Sequence, residues 1–95
     1  MYGTIFNLKV KPGHEAALIK VFNEEQGNPA GAVALFVMQP DANGPWIGVA
    51  VFESKETYVA NAESPGQHAN FLKMMAHLES EPEWTDGTYV IGETL

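Results

Sequence analysis

Hydrophobic and polar positions alternate along residues 1–10, and this period of two predicts a β-strand. Phe6 and Leu8 share one face of the strand with the other even-numbered positions, whereas Asn7 lies on the opposite face. The strand is followed by Pro12 and Gly13, which interrupt the pattern. We therefore expect the first strand to have one strongly apolar face.

A helical period follows this break. The residues that recur at helical spacing are Ala17, Leu18, Val21 and Phe22. Proline suits the first turn of a helix because its missing N–H is not needed there. The sequence therefore predicts a helix that begins near Pro12 and ends at the turn formed by residues 26–29.

Two further strands are predicted at residues 30–39 and 45–53, joined by a turn-rich segment that contains Asn43 and Gly44. Both strands are apolar on both faces, so both faces need to be covered. The chain has too few helices to cover both. We therefore expect a second copy of the chain to cover one face, giving a homodimer through the open, apolar face of the sheet.

Two helices and a last strand complete the pattern. Ser54 is predicted to cap a helix that runs to about Asn61, and Ser64 to cap a second helix that runs to about Glu79. The second helix has an apolar stripe formed by His68, Phe71, Leu72, Met75 and Leu78. The last strand is predicted at residues 89–91, after a turn at residues 86–87. The order β-α-β-β-α-β predicts an α+β, ferredoxin-like sandwich with an antiparallel sheet.

Composition narrows the class of protein. The 95 residues form one domain, residues 1–95. Twelve acidic against five basic residues give a net charge of -7, which argues against binding to nucleic acid or to an anionic membrane surface. Cysteine is absent. No apolar run reaches the ~20 residues of a membrane span, and the first residues lack the pattern of a signal peptide, so a cytoplasmic protein is expected.

Three segments resemble the antibiotic-biosynthesis-monooxygenase (ABM) family, a group of dimeric α/β-barrel proteins. They are residues 9–15 after the first strand, residues 51–58 after the third strand, and residues 62–65 before the last helix. The resemblance implies that two sheets pack face to face across a dimer to form a barrel. It also implies that each subunit binds its ligand between the helices and the sheet. The family includes cofactor-independent oxygenases of phenols and quinols, haem-degrading enzymes and autoinducer-processing proteins.

The chain departs from the family pattern at several positions. Phe52 stands where the family often has tryptophan, and Asn61 stands where it often has histidine. In the haem-degrading branch, the asparagine position of the first strand corresponds to Phe6. The tryptophan and histidine positions of that branch correspond to Asn61 and Phe71. These departures argue against haem degradation.

His68 is the sharpest catalytic candidate, because it lies on the apolar stripe and histidine titrates near neutral pH. Asn61 and Tyr58 are candidates for orienting a substrate or an oxyanion. The residues predicted to line an aromatic binding pocket are Phe6, Phe52, Phe71 and Met75. A plain packing role is the alternative for each of them.

The other histidines attract weaker predictions. His14, at the start of the first helix, is expected at the surface or at the rim of the pocket, and His77 is expected to be exposed. The three histidines have no short ligand spacing, so we expect no metal site, and no cofactor is expected.

Two functions remain open: a cofactor-independent monooxygenase that oxidises a small phenol-like or quinol-like substrate with O₂, and a non-catalytic dimeric module that binds a small apolar or aromatic metabolite.

Overall fold

The computed structural model describes residues 1–24 and 29–95 and forms a four-stranded sheet with helices on one side. The elements, in chain order, are β1 (Tyr2–Leu8), α1 (Glu15–Asn23), β2 (Ala32–Met38), β3 (Trp46–Phe52), α2 (Lys55–Ala62), α3 (Pro65–Met75) and β4 (Glu83–Thr88). The strand order is β2-β3-β1-β4, and every pairing is antiparallel. The predicted α+β, ferredoxin-like β-α-β-β-α-β fold is therefore confirmed.

The alternation predicted for the first strand is present in β1, which lies in the middle of the sheet. Thr4, Phe6 and Leu8 are buried on the helix side, whereas Ile5 is exposed on the other side. The neighbours across the sheet follow the same alternation, because paired residues point to the same face. The helix side therefore carries the core and the other side is open.

The core forms where α1 and α3 pack on the sheet. Leu18 on α1 and Leu8 on β1 are fully buried, and Leu78, just after α3, is 3% exposed. The remaining members of the buried cluster are Phe6, Trp46 and Met74. The helical period predicted around Leu18 is thus confirmed.

Both predicted serine caps are present. Ser54 Oγ accepts the Thr57 N–H at 3.2 Å, and Thr57 Oγ1 in turn accepts the Ser54 N–H at 3.3 Å, which makes a reciprocal capping box. Ser64 Oγ accepts the Gln67 N–H at 3.2 Å. Each cap satisfies N–H groups that a helix leaves unpaired at its start, so α2 and α3 begin at defined residues.

Two predicted helix boundaries are wrong. α1 begins at Glu15, so Pro12 lies in the preceding turn and not in the helix. α3 ends at Met75 instead of near Glu79, because the chain turns so that Leu78 can bridge to Val10 beside β1. The predicted end of α1 at residues 26–29 falls largely on residues 25–28, which lie outside the described part of the chain.

The last strand is also displaced from its prediction. β4 spans Glu83–Thr88, and residues 89–91 follow it without strand structure. Asp86 and Gly87 therefore lie inside a strand and do not form a turn. Pairing with β1 overrides their turn preference, because Gly87 lies opposite Gly3 and Asp86 opposite Thr4 in a continuous antiparallel register.

The open face of the sheet carries large apolar side chains. Phe36 is 68% exposed, Met38 is 55% exposed and Ile5 is 45% exposed. The strands are therefore apolar on both faces, as predicted. No helix of the described chain covers the open face. Separately, no helix in the described residues has the length and apolar character needed to cross a membrane.

Candidate functional site

A cavity of about 560 Å³ lies between α2, α3 and the helix side of the sheet. Its buried lining comes from Thr4 and Phe6 on β1, Phe52 at the end of β3, and Met74 on α3. Its exposed margin includes His68, Trp84 and Asp86. The cavity is therefore an apolar recess that is open to solvent and has polar groups near its mouth.

Tyr58 is held in this cavity by two aromatic neighbours. Its ring centroid lies 5.4 Å from that of Tyr2 and 5.6 Å from that of Phe52, which it meets nearly edge-on. Because the Ser54 cap fixes the first turn of α2, the side chain of Tyr58 leaves the helix from a defined position. The tyrosine hydroxyl is therefore directed across the cavity toward the sheet.

That hydroxyl donates a hydrogen bond of 3.0 Å to Asp86 Oδ1 on β4. Burial raises the pKa of Tyr58 to about 12, and the hydrogen bond to Asp86 and the negative charge of Asp86 act in the same direction. The neighbouring Thr4 side chain acts to lower this pKa but does not outweigh the other effects. Tyr58 is consequently a neutral hydrogen-bond donor at physiological pH.

Asp86 and Thr4 are brought together by strand register. They are paired residues of β4 and β1, on the side of the sheet that faces the helices. Thr4 is 3% exposed, and its hydroxyl donates to the backbone carbonyl of Thr85 at 3.2 Å. Thr4, Tyr58 and Asp86 thus form a cluster of oxygen atoms at the β1–β4 side of the cavity.

The junction between α2 and α3 positions two further polar side chains. Ser64 Oγ donates to the carbonyl of Asn61 at 2.9 Å while it caps α3, so it connects the end of one helix to the start of the next. Asn61, Gln67 and His68 all line the cavity near this junction. An imidazole and two amides are therefore available near the mouth of an apolar recess.

The aromatic part of the lining depends on one glycine. Phe6 and Trp84 pack with their ring centroids 4.9 Å apart. Gly48, the β3 partner of Phe6, has no side chain, and a Cβ there would overlap the Phe6 ring. The ring of Phe6 therefore occupies the space that any other residue at position 48 would fill.

Six of the seven predicted site residues are brought together by the fold. Those that line the cavity are Tyr58, Asn61, His68, Phe6, Phe52 and Phe71. Met75 does not line it; it packs against the core cluster, and its neighbour Met74 lines the cavity instead. Their roles in binding or catalysis stay predictions.

The buried stripe of α3 includes Met74, which was not predicted, and excludes Leu72, which was. Met74 is buried, whereas Leu72, which was expected to face the sheet, is 56% exposed. His68 lies at the margin of this stripe and is exposed, although it still lines the cavity. It is therefore accessible both to solvent and to a bound ligand.

His77 was predicted to be exposed, and this is wrong. It is half-buried, and its Nδ1 lies 3.0 Å from Nδ1 of His14 at the start of α1. The Lys11 N–H also donates to the His77 carbonyl at 2.9 Å, which fastens the loop after β1 to the end of α3. Neither histidine lines the cavity.

Sequence reasoning missed five polar or aromatic residues of the cavity: Thr4, Phe22, Gln67, Trp84 and Asp86. The alternation of Trp84 and Asp86 was a signal that both belong to one face of a strand. The Asp-Gly pair at residues 86–87 obscured it by suggesting a turn. In the described residues, no group of three or more histidine, aspartate or glutamate side chains is arranged to hold a metal ion.

Comparison with known proteins identifies the fold. No protein-family model matches the sequence, and no curated protein is similar enough to count as a relative. Solved structures do match. A candidate antibiotic biosynthesis monooxygenase from Caulobacter crescentus is 18% identical with a TM-score of 0.81, over 95% of this chain and 90% of that chain. A second one, from Nitrosomonas europaea, is 13% identical with a TM-score of 0.80, over 96% of this chain and 100% of the other.

A variant of MhuD with two manganese protoporphyrin IX molecules in each active site is also similar. It is 18% identical to this chain with a TM-score of 0.77, and 99% of each chain is covered. At these identities the likeness establishes a shared fold, which is the one that the resemblance in the sequence predicted.

Proposed function

We propose that this chain is a small monooxygenase of the antibiotic-biosynthesis type, which oxidises a phenol-like or quinol-like aromatic with O₂. One observation carries the proposal. An open cavity of about 560 Å³ combines buried aromatic walls with an imidazole, a phenol and an amide at its margin, His68, Tyr58 and Asn61. The shared fold with structures that bear the monooxygenase name supports the same class of activity.

His68 has the role of general base in this proposal. A ring nitrogen of His68 takes the proton of the substrate hydroxyl, and the resulting phenolate is electron-rich enough to transfer an electron to O₂. A C–O bond then forms at a ring carbon to give a hydroperoxide. Loss of the C–H proton and cleavage of the O–O bond release one water and leave a quinone carbonyl. One phenol and one O₂ thus give one quinone and one water.

The rest of the cavity positions the substrate. Phe6, Phe52 and Phe71 provide flat apolar surface, and Asn61 supplies an amide donor for the oxygen that becomes negatively charged. The substrate itself provides the electrons in this scheme, so the proposal requires no flavin, haem or metal. The reaction is expected to proceed in protein that has been treated with a chelator and is free of flavin absorbance.

An oxygen electrode tests the proposal. Wild-type protein should consume O₂ with a panel of naphthols and naphthalenediols faster than their own autoxidation. His68→Gln should lower this rate by about 10²-fold or more, because general-base catalysis contributes that much. His14→Gln is the matched control, since His14 does not line the cavity. Equal rates in His68→Gln and wild type would remove His68 from the mechanism.

A non-catalytic binding module is the second candidate. The exposed position of His68 and the openness of the cavity favour it, because water has access to the space where O₂ chemistry would occur. This candidate predicts that an aromatic ligand raises the melting temperature without any O₂ uptake. Thermal-shift screening followed by the oxygen electrode on each hit separates the two functions.

Haem degradation is not part of the proposal, although one structure with the same fold contains protoporphyrin. The described cavity residues include no lysine or arginine to pair with the propionate groups of a porphyrin. Addition of haem is expected to leave its Soret band unshifted.

The proposed working form is a homodimer formed through the open face of the sheet. The exposed side chains of Ile5, Phe36 and Met38 make a continuous apolar surface on that face, and a second copy of the same face is self-complementary under two-fold symmetry. The sheets of two subunits would then enclose a shared apolar layer.

A further inference from the structure

The hydrogen-bond donors and acceptors that line the cavity indicate what kind of ligand it accepts. A tyrosine or threonine hydroxyl has one hydrogen to donate and lone pairs to accept with. The hydrogen of Tyr58 is committed to Asp86 Oδ1 at 3.0 Å, and that of Thr4 is committed to the carbonyl of Thr85 at 3.2 Å. Both hydroxyl oxygens can therefore offer only lone pairs to a ligand.

Asp86 has the same character. An ionised carboxylate accepts hydrogen bonds and donates none, and it has about four acceptor sites on its two oxygens. The bond from Tyr58 occupies one of these sites. The β1–β4 side of the cavity is thus a surface of acceptors, formed by Thr4, Tyr58 and Asp86. The high pKa of Tyr58 keeps its proton, and so this arrangement, intact at neutral pH.

The charge of the cavity further limits which ligands can bind. Asp86 is the one acidic residue in the described lining, and no lysine or arginine accompanies it. The chain as a whole has a net charge of -7. A ligand carboxylate or phosphate next to Asp86 would meet a like charge, and the described lining has no lysine or arginine to compensate for it.

We propose that Tyr58 and Asp86 form an acceptor pair that determines specificity: the cavity selects uncharged aromatic ligands that carry a hydroxyl donor and rejects aromatic carboxylates. This inference deepens the proposed function, because the ligand is the substrate of the same cavity. Tyr58 fixes the orientation of the Asp86 carboxylate, and Asp86 receives one hydroxyl of a quinol-like ligand, whose other hydroxyl is the one that gives its proton to His68. The hydroxyl bound by Asp86 is thereby held at the β4 side of the site.

Calorimetric titration under anaerobic conditions tests the selection without turnover. The probes are 1-naphthol, 1-methoxynaphthalene, which lacks the donor, and 1-naphthoate, which is an anion. A hydrogen bond to a charged group predicts that 1-naphthol binds about tenfold or more tightly than 1-methoxynaphthalene. Repulsion by Asp86 predicts that 1-naphthoate binds at least about tenfold more weakly than 1-naphthol.

Variants separate the preference for a hydroxyl donor from the rejection of anions. Asp86→Ala should bring the naphthol and methoxynaphthalene affinities to within about threefold of each other, since the main acceptor is lost. Asp86→Asn keeps an acceptor but removes the charge, so it should selectively improve binding of 1-naphthoate. Tyr58→Phe should weaken the preference for the hydroxyl only in part. Glu83→Gln is the matched control, because Glu83 is an exposed carboxylate on the same strand and does not line the cavity.

The outcomes distinguish this inference from the proposed function. Equal binding of the three probes, no binding of any probe, or an unchanged preference in folded Asp86→Ala would overturn the acceptor pair. The predicted preference without O₂ uptake would support the acceptor pair and refute the monooxygenase. Uptake of O₂ with no preference for the hydroxyl would do the reverse. Circular dichroism verifies that each variant is folded.

Discussion

The buried ring of Phe6 on β1 packs directly over Gly48, its partner on β3. A Cβ at position 48 would overlap this ring. Phe6 cannot move freely, because it also packs against Trp84 with ring centroids 4.9 Å apart. Gly48→Ala should therefore destabilise the protein by about 1–3 kcal/mol, as overpacking of a core does. Urea denaturation measures this change in the free energy of unfolding.

Gly87→Ala is the control for this substitution. Gly87 is also a strand glycine, but a Cβ there meets no atom within 4 Å. Its effect should stay within about 0.5 kcal/mol, as at most surface positions. A loss of stability at position 87 as large as that at position 48 would show that strand glycines in general, and not the Phe6 contact, cause the effect.

Ser64 is expected to stabilise the junction between α2 and α3, which positions the side chains of Asn61 and His68. Ser64→Ala removes both the cap of α3 and the bond to the Asn61 carbonyl, and should cost about 1 kcal/mol. Ser64→Asp restores a capping acceptor but has no hydrogen to donate to Asn61. It should therefore recover only part of the loss in thermal or urea denaturation.

Ser80→Ala serves as the reference for the serine substitutions, since Ser80 is exposed in the loop after α3. Its stability should match that of wild type within about 0.5 kcal/mol. If Ser64→Ala also matches wild type, the cap does not contribute measurably and the position of His68 must depend on packing alone.

Local chemistry explains which parts of the fold were predictable. The alternation in β1 and the caps at Ser54 and Ser64 are short-range signals, and the structure confirms them. The position of β4 is not a short-range property. Its Asp86-Gly87 pair favours a turn in isolation, and only pairing with β1 makes the segment a strand.

The candidate site was predictable in part for the same reason. Phe71 was identified from helical phase and Phe6 from the alternation of the first strand, and both line the cavity. Met74 and Met75 are separated by a rotation of about 100° around the helix axis. Because both are apolar, the sequence does not determine which of them faces the cavity. Asp86 was missed because its role arises from contacts across 28 residues of sequence.

The high pKa of Tyr58 predicts a specific loss of stability in alkaline solution. The unfolded tyrosine ionises near pH 10.0, whereas the folded one retains its proton until about pH 12. The folded state therefore binds more protons between these values, and the free energy of unfolding falls as the pH rises through this window. Tyr58→Phe should show a shallower decline between pH 10 and about 12 than wild type does.

Urea denaturation at several pH values from 9 to 12 measures this decline. Asp86→Asn should give an intermediate slope, because it removes the charge that contributes to the shift while the burial of Tyr58 remains. Parallel curves for wild type and Tyr58→Phe across the window would contradict the raised pKa. The raised pKa of Tyr89 contributes a decline of the same sign to all three proteins and so does not affect the comparison.

The open face of the sheet predicts the oligomeric state. Phe36 is 68% exposed on that face, and burial of such a side chain against a second copy is favourable by about 1.5–3 kcal/mol. Wild-type protein at micromolar concentration should therefore sediment with twice the mass of the 10.4 kDa chain. Phe36→Glu should sediment as a monomer, because two-fold symmetry would bring two buried charges into the interface.

Leu72→Glu is the matched control for the dimer. Leu72 is 56% exposed, but it lies on α3, on the opposite side of the sheet from Phe36. This variant should keep the mass of the dimer in analytical ultracentrifugation. A folded wild-type monomer, or dissociation by Leu72→Glu with a stable Phe36→Glu dimer, would mean that the apolar sheet face does not form the interface.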